Sequence, residues 1–122
     1  MKETSEIYMV FVTAPDSETA RALVRAALQR RLIACANIVS GVESHYWWRD
    51  KIESSGEVFA VLKTTSDCLE PLEKLIAELH PYDTPEFIAV PVKSGSERYL
   101  AWLAGNVSAP DSKRQGGQGG LA

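Results

Sequence analysis

The order of apolar segments along the 122 residues predicts an α+β domain. Four segments rich in β-branched and aromatic residues alternate with two segments whose apolar residues recur every three or four positions. The first pattern is typical of strands and the second of amphipathic helices. The length, with 45% hydrophobic residues, suits one domain with a single packed core.

The first strand and helix are predicted near the start of the chain. Residues 7–14 read IYMVFVTA, which favours a strand, and Asp16 or Ser17 can cap the helix that follows. That helix continues to about Arg31, with the basic residues mostly on the side away from its apolar stripe. The stripe consists of Ala20, Leu23, Val24, Ala27 and Leu28.

A long hairpin is predicted next. Residues 35–48 form its first strand, in which Gly41 marks a bulge or a bend, and residues 57–64 form its second strand. Two segments compete for the hairpin tip. Residues 49–51 are turn-like, and the Ser-Ser-Gly segment 54–56 is the alternative.

The second helix carries its apolar stripe between Leu69 and Leu79. Asp67, followed three residues later by Glu70, resembles a capping box at its start. Residues 80–85 contain two prolines and predict a shaped loop, and the fourth strand is expected at 86–92.

A short helix at 96–104 ends the predicted domain, which spans residues 1–107. The composition of residues 108–122 predicts a flexible tail rich in Gly, Ser and Gln. The resulting β-α-β-β-α-β order is the ferredoxin-like pattern, in which both long helices cover one face of the sheet.

The strands do not alternate between apolar and polar residues. In the first strand, positions 7, 9 and 11 are apolar, and so are positions 8, 10 and 12. A sheet with one face in water is expected to alternate. An uncovered second apolar face would be strongly adhesive, so the sequence predicts that other copies of the chain cover it.

Charge and composition exclude several classes of protein. A net charge of −3 argues against a nucleic-acid-binding protein, because such domains usually carry an excess of basic residues. No apolar stretch is long enough to span a membrane, and the polar start does not fit a signal peptide. We therefore expect a cytoplasmic protein whose cysteines, Cys35 and Cys68, are free thiols.

Five sequence blocks between residues 7 and 103 together resemble the CutA family of divalent-cation-tolerance proteins. Their order and separation make the resemblance specific, although Arg49-Asp50 stands where the family commonly has a glycine next to the lysine. The blocks are Ala34–Ile38, Ser44–Ile52, Glu57 with Leu62–Thr64, His80–Tyr82 with Pro85–Glu86, and Tyr99–Leu103.

The resemblance implies a homotrimer of ferredoxin-like subunits, with an architecture like that of the PII signalling proteins. It also implies a role in tolerance of divalent cations, copper in particular. The metal-ligand candidates carried over from the family are Cys35 and His80, with Glu86 as an oxygen donor. Copper or another divalent ion is thus the expected cofactor, without an organic one.

The residues themselves leave alternatives to this ligand set. Cys35 also suits a buried structural thiol, Cys68 a core position, and His80 a residue that bonds the last carbonyl groups of a helix. Cys35 and His45 lie about 33 Å apart along an extended strand, too far to chelate one ion within a chain. Only symmetry between copies could bring such dispersed ligands together.

A second candidate site combines aromatic and charged residues on strand ends and on the 80–85 loop. In a trimer these residues could line an intersubunit cleft for a small anion or metabolite. The simpler alternative is an ion pair of Lys63 with Glu86 that holds the strands in register. The cleft candidates are Trp48, Lys51, Lys63, Tyr82 and Glu86.

The sequence contains no nucleophile elbow, no phosphate-binding loop and no Ser/His/Asp set, so we do not expect an enzyme. The predicted function is divalent-metal tolerance with modest copper binding by a homotrimer. The alternative is a PII-like regulatory module that binds a small ligand or a partner protein at its subunit clefts.

Overall fold

The structure, a computed structural model, describes residues 1–4 and 6–110. The strands are β1 (Lys2–Glu3), β2 (Ile7–Ala14), β3 (Cys35–Trp48), β4 (Lys51–Thr65), β5 (Ile88–Pro91) and β6 (Ser94–Gly95). The helices are α1 (Ser17–Gln29), α2 (Leu69–Leu79) and α3 (Glu97–Gly105), and a 3-10 turn (Ser66–Cys68) precedes α2. None of the helices in the described residues is both long enough and apolar enough to cross a membrane.

The four main strands form one antiparallel sheet in the order β3-β4-β2-β5. This order, with α1 and α2 as the two crossovers, is the predicted ferredoxin-like arrangement. Two short strands that the sequence did not indicate, β1 and β6, pair with each other in a second small sheet.

The core lies between the sheet and the two long helices. Val10 and Val12 of β2 and Leu62 of β4 are buried there against the apolar stripes of both helices. Val10 and Leu62 are direct cross-strand partners, so they point to the same face of the sheet. One face of the sheet is therefore filled by the chain's own helices, as predicted.

The two long helices begin differently. Asp16 caps α1, because its side chain accepts a hydrogen bond of 2.7 Å from the backbone N–H of Thr19. The predicted capping box of Asp67 with Glu70 is wrong. The 3-10 turn moves the start of α2 to Leu69, and Asp67 instead accepts a hydrogen bond from the Thr65 hydroxyl.

The hairpin is longer than predicted because β4 begins at Lys51. The tip is Arg49-Asp50, two residues with φ of 51° and 65°, and the competing Ser-Ser-Gly segment lies within β4. Positive φ at both central residues is the geometry of tight hairpin turns. Gly41 has φ of 80° at a register shift between Val39 and Val42, which confirms the predicted bulge.

The C-terminal elements are slightly displaced from their predicted bounds. The fourth strand of the main sheet is shorter than 86–92, and the last helix starts and ends one residue later than 96–104. Contacts with the domain extend beyond residue 107, since the Ser108 N–H donates to the Arg31 carbonyl and Ala109 packs against the core. The rest of the predicted tail, residues 111–122, lies outside the described residues.

Two glycines of the hairpin provide a matched test of the bulge. A Cβ at Gly41 or at Gly56 would meet no atom within 4 Å, but only Gly41 has positive φ. We expect Gly41→Ala to lower the free energy of unfolding by about 1 kcal/mol or more, because alanine is strained at that φ. Gly56→Ala should leave it unchanged or slightly raised.

Denaturant unfolding of the two variants measures this difference. Equal effects of both substitutions would contradict a special backbone conformation at Gly41.

Candidate functional site

The face of the sheet opposite α1 and α2, called the open face here, is apolar over most of its area. Strand register assigns its members, because direct cross-strand partners point to the same side. The Phe11 and Phe59 rings lie 5.5 Å apart, and Ile88 and Val39 are about half exposed. The apolar residues of the open face are Met9, Phe11, Val39, Phe59, Val61, Ile88 and Val90.

The third helix covers one end of the open face, which the sequence did not predict. Leu100 and Leu103 of α3 pack against Ile7, and all three side chains are buried. The remaining open-face residues have no covering element among the described residues. Two apolar faces with helices on one of them were predicted, and the structure confirms this with the addition of α3.

Three functional groups meet where α3 joins the open face, and we call them the thiol cluster. Cys35 and Lys63 are cross-strand partners. The Cys35 Sγ lies 3.4 Å from the Tyr99 hydroxyl, which accepts a hydrogen bond of 3.5 Å from the Lys63 Nζ. The hydrogen bond to Cys35, followed by burial, raises the pKa of Tyr99. The cluster therefore presents a half-buried thiol beside a phenol and a cation.

The predicted ion pair of Lys63 with Glu86 is absent. Within residues 1–4 and 6–110, no carboxylate lies within 4.0 Å of the Lys63 ammonium group. That group instead stands 5.8 Å from the centre of the Tyr99 ring.

His80 is buried at the end of α2, and both of its ring nitrogens have partners. Nε2 lies 2.7 Å from the Thr13 carbonyl oxygen, and Nδ1 accepts a hydrogen bond of 3.1 Å from the Tyr82 N–H. Because a carbonyl can only accept, Nε2 carries the proton in this arrangement. The ring therefore ties the 80–85 loop to β2 and has no free lone pair.

A second group, called here the rim cluster, lies where the 80–85 loop meets β4. The Tyr82 hydroxyl donates a hydrogen bond of 2.7 Å to the Glu57 carboxylate. Burial and this bond raise the pKa of Tyr82 to about 12. Partial burial of the carboxyl group, and then the charge of Glu57, raise the pKa of Glu86, although the residue as a whole is exposed. The rim cluster consists of Glu57, Tyr82 and Glu86.

The other two cleft candidates lie at the end of the hairpin. Trp48 and Lys51 are the last cross-strand pair before the tip, and the Arg49 guanidinium stands 5.3 Å from the centre of the Trp48 ring. Lys63 and Glu57 are six residues apart on β4, as are Glu57 and Lys51. Each of these six-residue separations corresponds to about 20 Å along a strand.

The predicted site residues are thus divided among separate places in one chain. Cys35 and Lys63 belong to the thiol cluster, and Tyr82 and Glu86 belong to the rim cluster. His80 is buried in its own hydrogen bonds, and Trp48 and Lys51 lie at the end of the hairpin. No group of three potential metal ligands converges anywhere in the described residues. A groove of about 720 Å³ lies on the helix side, and none of the predicted site residues lines it.

Sequence reasoning gave no role to Glu57 or Tyr99, although both stand in the blocks of resemblance. Glu57 precedes Phe59, Val61 and Lys63 at two-residue steps, and this period places all four side chains on one face. That signal was available in the sequence. The position of Tyr99 was not, because it depends on α3 crossing to the open face.

The comparisons with known proteins agree with this architecture. The family model described as "CutA1 divalent ion tolerance protein" matches residues 8–106. The chain belongs to the CutA1 divalent ion tolerance family. CutA proteins are non-enzymatic divalent-cation tolerance proteins, so the prediction that the chain is not an enzyme is confirmed.

Among its relatives, the "Divalent-cation tolerance protein CutA" of Pyrococcus horikoshii is 47% identical over 78% of this chain and 92% of its own length. The "Protein CutA, chloroplastic" of Arabidopsis thaliana is 42% identical over 84% of this chain, which spans only 58% of that relative. The solved structure of the "Divalent cation tolerance protein (Cut A1)" of Thermus thermophilus superposes with a TM-score of 0.82 at 36% identity, covering 84% of this chain and 99% of that one.

The names of CutA relatives assign them to more than one cellular compartment. The Arabidopsis relative is called chloroplastic, and a solved structure from Archaeoglobus fulgidus, 31% identical with a TM-score of 0.77, is called periplasmic. These names leave the predicted cytoplasmic location of this chain untested.

The rim cluster generates a prediction about pH. The folded-state pKa of Glu86 lies above the ordinary 4.5, so ionisation of Glu86 disfavours the folded state above that pKa and has no effect below the unfolded value. We expect Glu86→Gln to raise the denaturation midpoint at pH 7, with a gain that vanishes as the pH falls below 4.5.

The cause of the raised Glu86 pKa can be tested separately by NMR titration of the carboxyl groups. Glu57→Gln should lower the pKa of Glu86, whereas Glu53→Gln in the outer part of the hairpin should not move it. A Glu86 pKa that does not respond to Glu57→Gln would show that the two carboxylates do not interact.

Proposed function

We propose that this CutA protein acts in the cytoplasm as a homotrimer in divalent-metal tolerance, with modest binding of copper ions. The observation that carries the proposal is the apolar open face, because it requires a cover and because two of the three candidate ligands, Cys35 and Glu86, lie on it or at its rim. Copies of the chain that meet across this face could gather ligands that one chain keeps apart.

The energetics of the open face support assembly. Each large apolar side chain left in water forgoes about 1.5 to 3 kcal/mol of burial. Seven apolar side chains share the open face: Val39 and Ile88 are about half exposed, the other five are partly exposed, and the Phe11 and Phe59 rings lie 5.5 Å apart. A contiguous apolar surface of this kind marks an interface in a water-soluble protein.

The chemistry of the candidate ligands favours copper among divalent metals. Thiolate and imidazole are soft or borderline donors that suit copper better than magnesium or calcium. Cys35 is half-buried at the thiol cluster, and Glu86 is exposed at the rim cluster. His80 would have to give up its bond to Thr13 or to Tyr82 in order to bind. This cost supports weak rather than tight binding.

A PII-like regulatory role is the second candidate, and one contact favours it. The Lys63 ammonium has no carboxylate within 4.0 Å among the described residues and stands over Tyr99 at the edge of the open face. A cation placed where copies meet suits a small anionic ligand or an acidic group of a partner protein.

A charge on the open face tests the trimer. Val61→Lys places an ammonium group on the surface that assembly would bury, where an unpaired charge costs several kcal/mol. We expect native chain to have a mass three times 13.4 kDa and a melting temperature that rises with protein concentration. The Val61→Lys variant should lose both properties.

Ala77→Lys, at an exposed position of α2, is the matched control and should keep both properties. Circular dichroism verifies that each variant is folded. A folded Val61→Lys variant with the native mass would refute assembly through the open face.

Copper titration tests the ligands. Isothermal titration of the reduced trimer with copper ions should give a weak affinity, and both Cys35→Ala and His80→Ala should weaken it by about tenfold or more. Unchanged affinity in both variants rejects this ligand set. No copper binding, together with a rise of the melting temperature on addition of a small anion, favours the regulatory role.

A further inference from the structure

One pair of side chains of the types that bind metals lies outside every site described above. Glu43 and His45 stand two residues apart on β3, in the outer part of the hairpin, and therefore point to the same face of the strand. The His45 Nε2 lies 2.6 Å from the Glu43 Oε2, and the side chains are 59% and 76% exposed, respectively. The pair joins a borderline nitrogen donor to a carboxylate oxygen in open solvent.

We infer that Glu43 and His45 form a two-residue chelate for a borderline divalent cation such as Zn²⁺ or Cu²⁺. The inference deepens the proposed function by adding a metal site at the hairpin, and it depends on neither the trimer nor the Cys35 ligand set. Imidazole with carboxylate favours these ions over Mg²⁺ and Ca²⁺, which take oxygen ligands.

The geometry suits a shared ion. Two donors that each lie about 2.0 to 2.2 Å from one ion are about 3 to 3.4 Å apart. The observed 2.6 Å separation reaches this value when the two exposed side chains move apart by less than about 1 Å. The proton that lies between the two atoms is then replaced by the metal.

The surroundings leave room for the remaining ligands. The cross-strand partner of Glu43 is Gly56, which has no side chain, and a Cβ built there would meet nothing within 4 Å. Opposite His45 lies Ser54, a small polar residue. Water molecules can therefore complete the coordination sphere beside the two protein ligands.

The chain contains only two histidines, which makes this site easy to isolate experimentally. His80 is buried with both ring nitrogens hydrogen-bonded, whereas His45 is exposed with one exposed carboxylate partner. The structure therefore separates the two imidazoles by their availability to an ion in solution.

Titration of the full chain with Zn²⁺ alone, followed by ¹⁵N NMR of the two imidazole rings, tests the proposal. We expect the Nε2 signal of His45 to shift saturably while the His80 signals stay in place. Glu43→Gln should weaken the apparent affinity at His45 by about tenfold. Glu53→Gln, which changes a carboxylate on the opposite face of the same hairpin, should change it by less than about twofold.

Three results would overturn the proposal: a His45 signal that does not respond up to millimolar Zn²⁺, equal effects of Glu43→Gln and Glu53→Gln, or a shift confined to His80. Cys35→Ala separates this site from the proposed copper ligands, because it should leave the His45 response intact. Failure of the trimer or of copper binding at Cys35 would likewise leave that response unchanged.

Discussion

The constraint on which the rest of the structure depends is the burial of a sheet that is apolar on both faces. The two long helices fill one face with a continuous core that includes Val10, Val12 and Leu62. On the other face, α3 shields only the end around Ile7. Phe11, Phe59 and their neighbours on this face stay partly exposed. The free energy available from covering them is the physical basis of the proposal that copies of the chain meet on this face.

The antiparallel register connects this constraint to the chemistry. It sets Cys35 opposite Lys63, and α3 then brings Tyr99 onto both, so a thiol, a cation and a phenol meet on the open face. Near the middle of β4, the loop that His80 ties to β2 brings the Tyr82 hydroxyl to the Glu57 carboxylate. Strand length keeps the two clusters about 20 Å apart. Within one chain, the candidate site residues therefore stay apart.

Sequence patterns were sufficient for the element order and for the two-faced sheet, because both depend on local periodicity. They failed where tertiary contacts decide the outcome. Asp67 looked like a helix cap, but the 3-10 turn took it out of that position. The ion pair of Lys63 with Glu86 was plausible from charge alone, but Lys63 lies at the thiol cluster and Glu86 at the rim cluster, and no carboxylate among the described residues lies within 4.0 Å of the Lys63 ammonium group. The role of Tyr99 depends on the path of α3, which no local pattern encodes. The family motifs supplied the candidate site residues but carried no information about which of them meet.

The mass of the unmodified chain in dilute solution tests the central claim most directly. If the open face is covered by other copies, sedimentation equilibrium at micromolar concentration should give a single species of about 40 kDa, three times the 13.4 kDa subunit. A stable, non-aggregating species of one subunit under those conditions would mean that the open face tolerates water, and the account of assembly and shared ligands would fail.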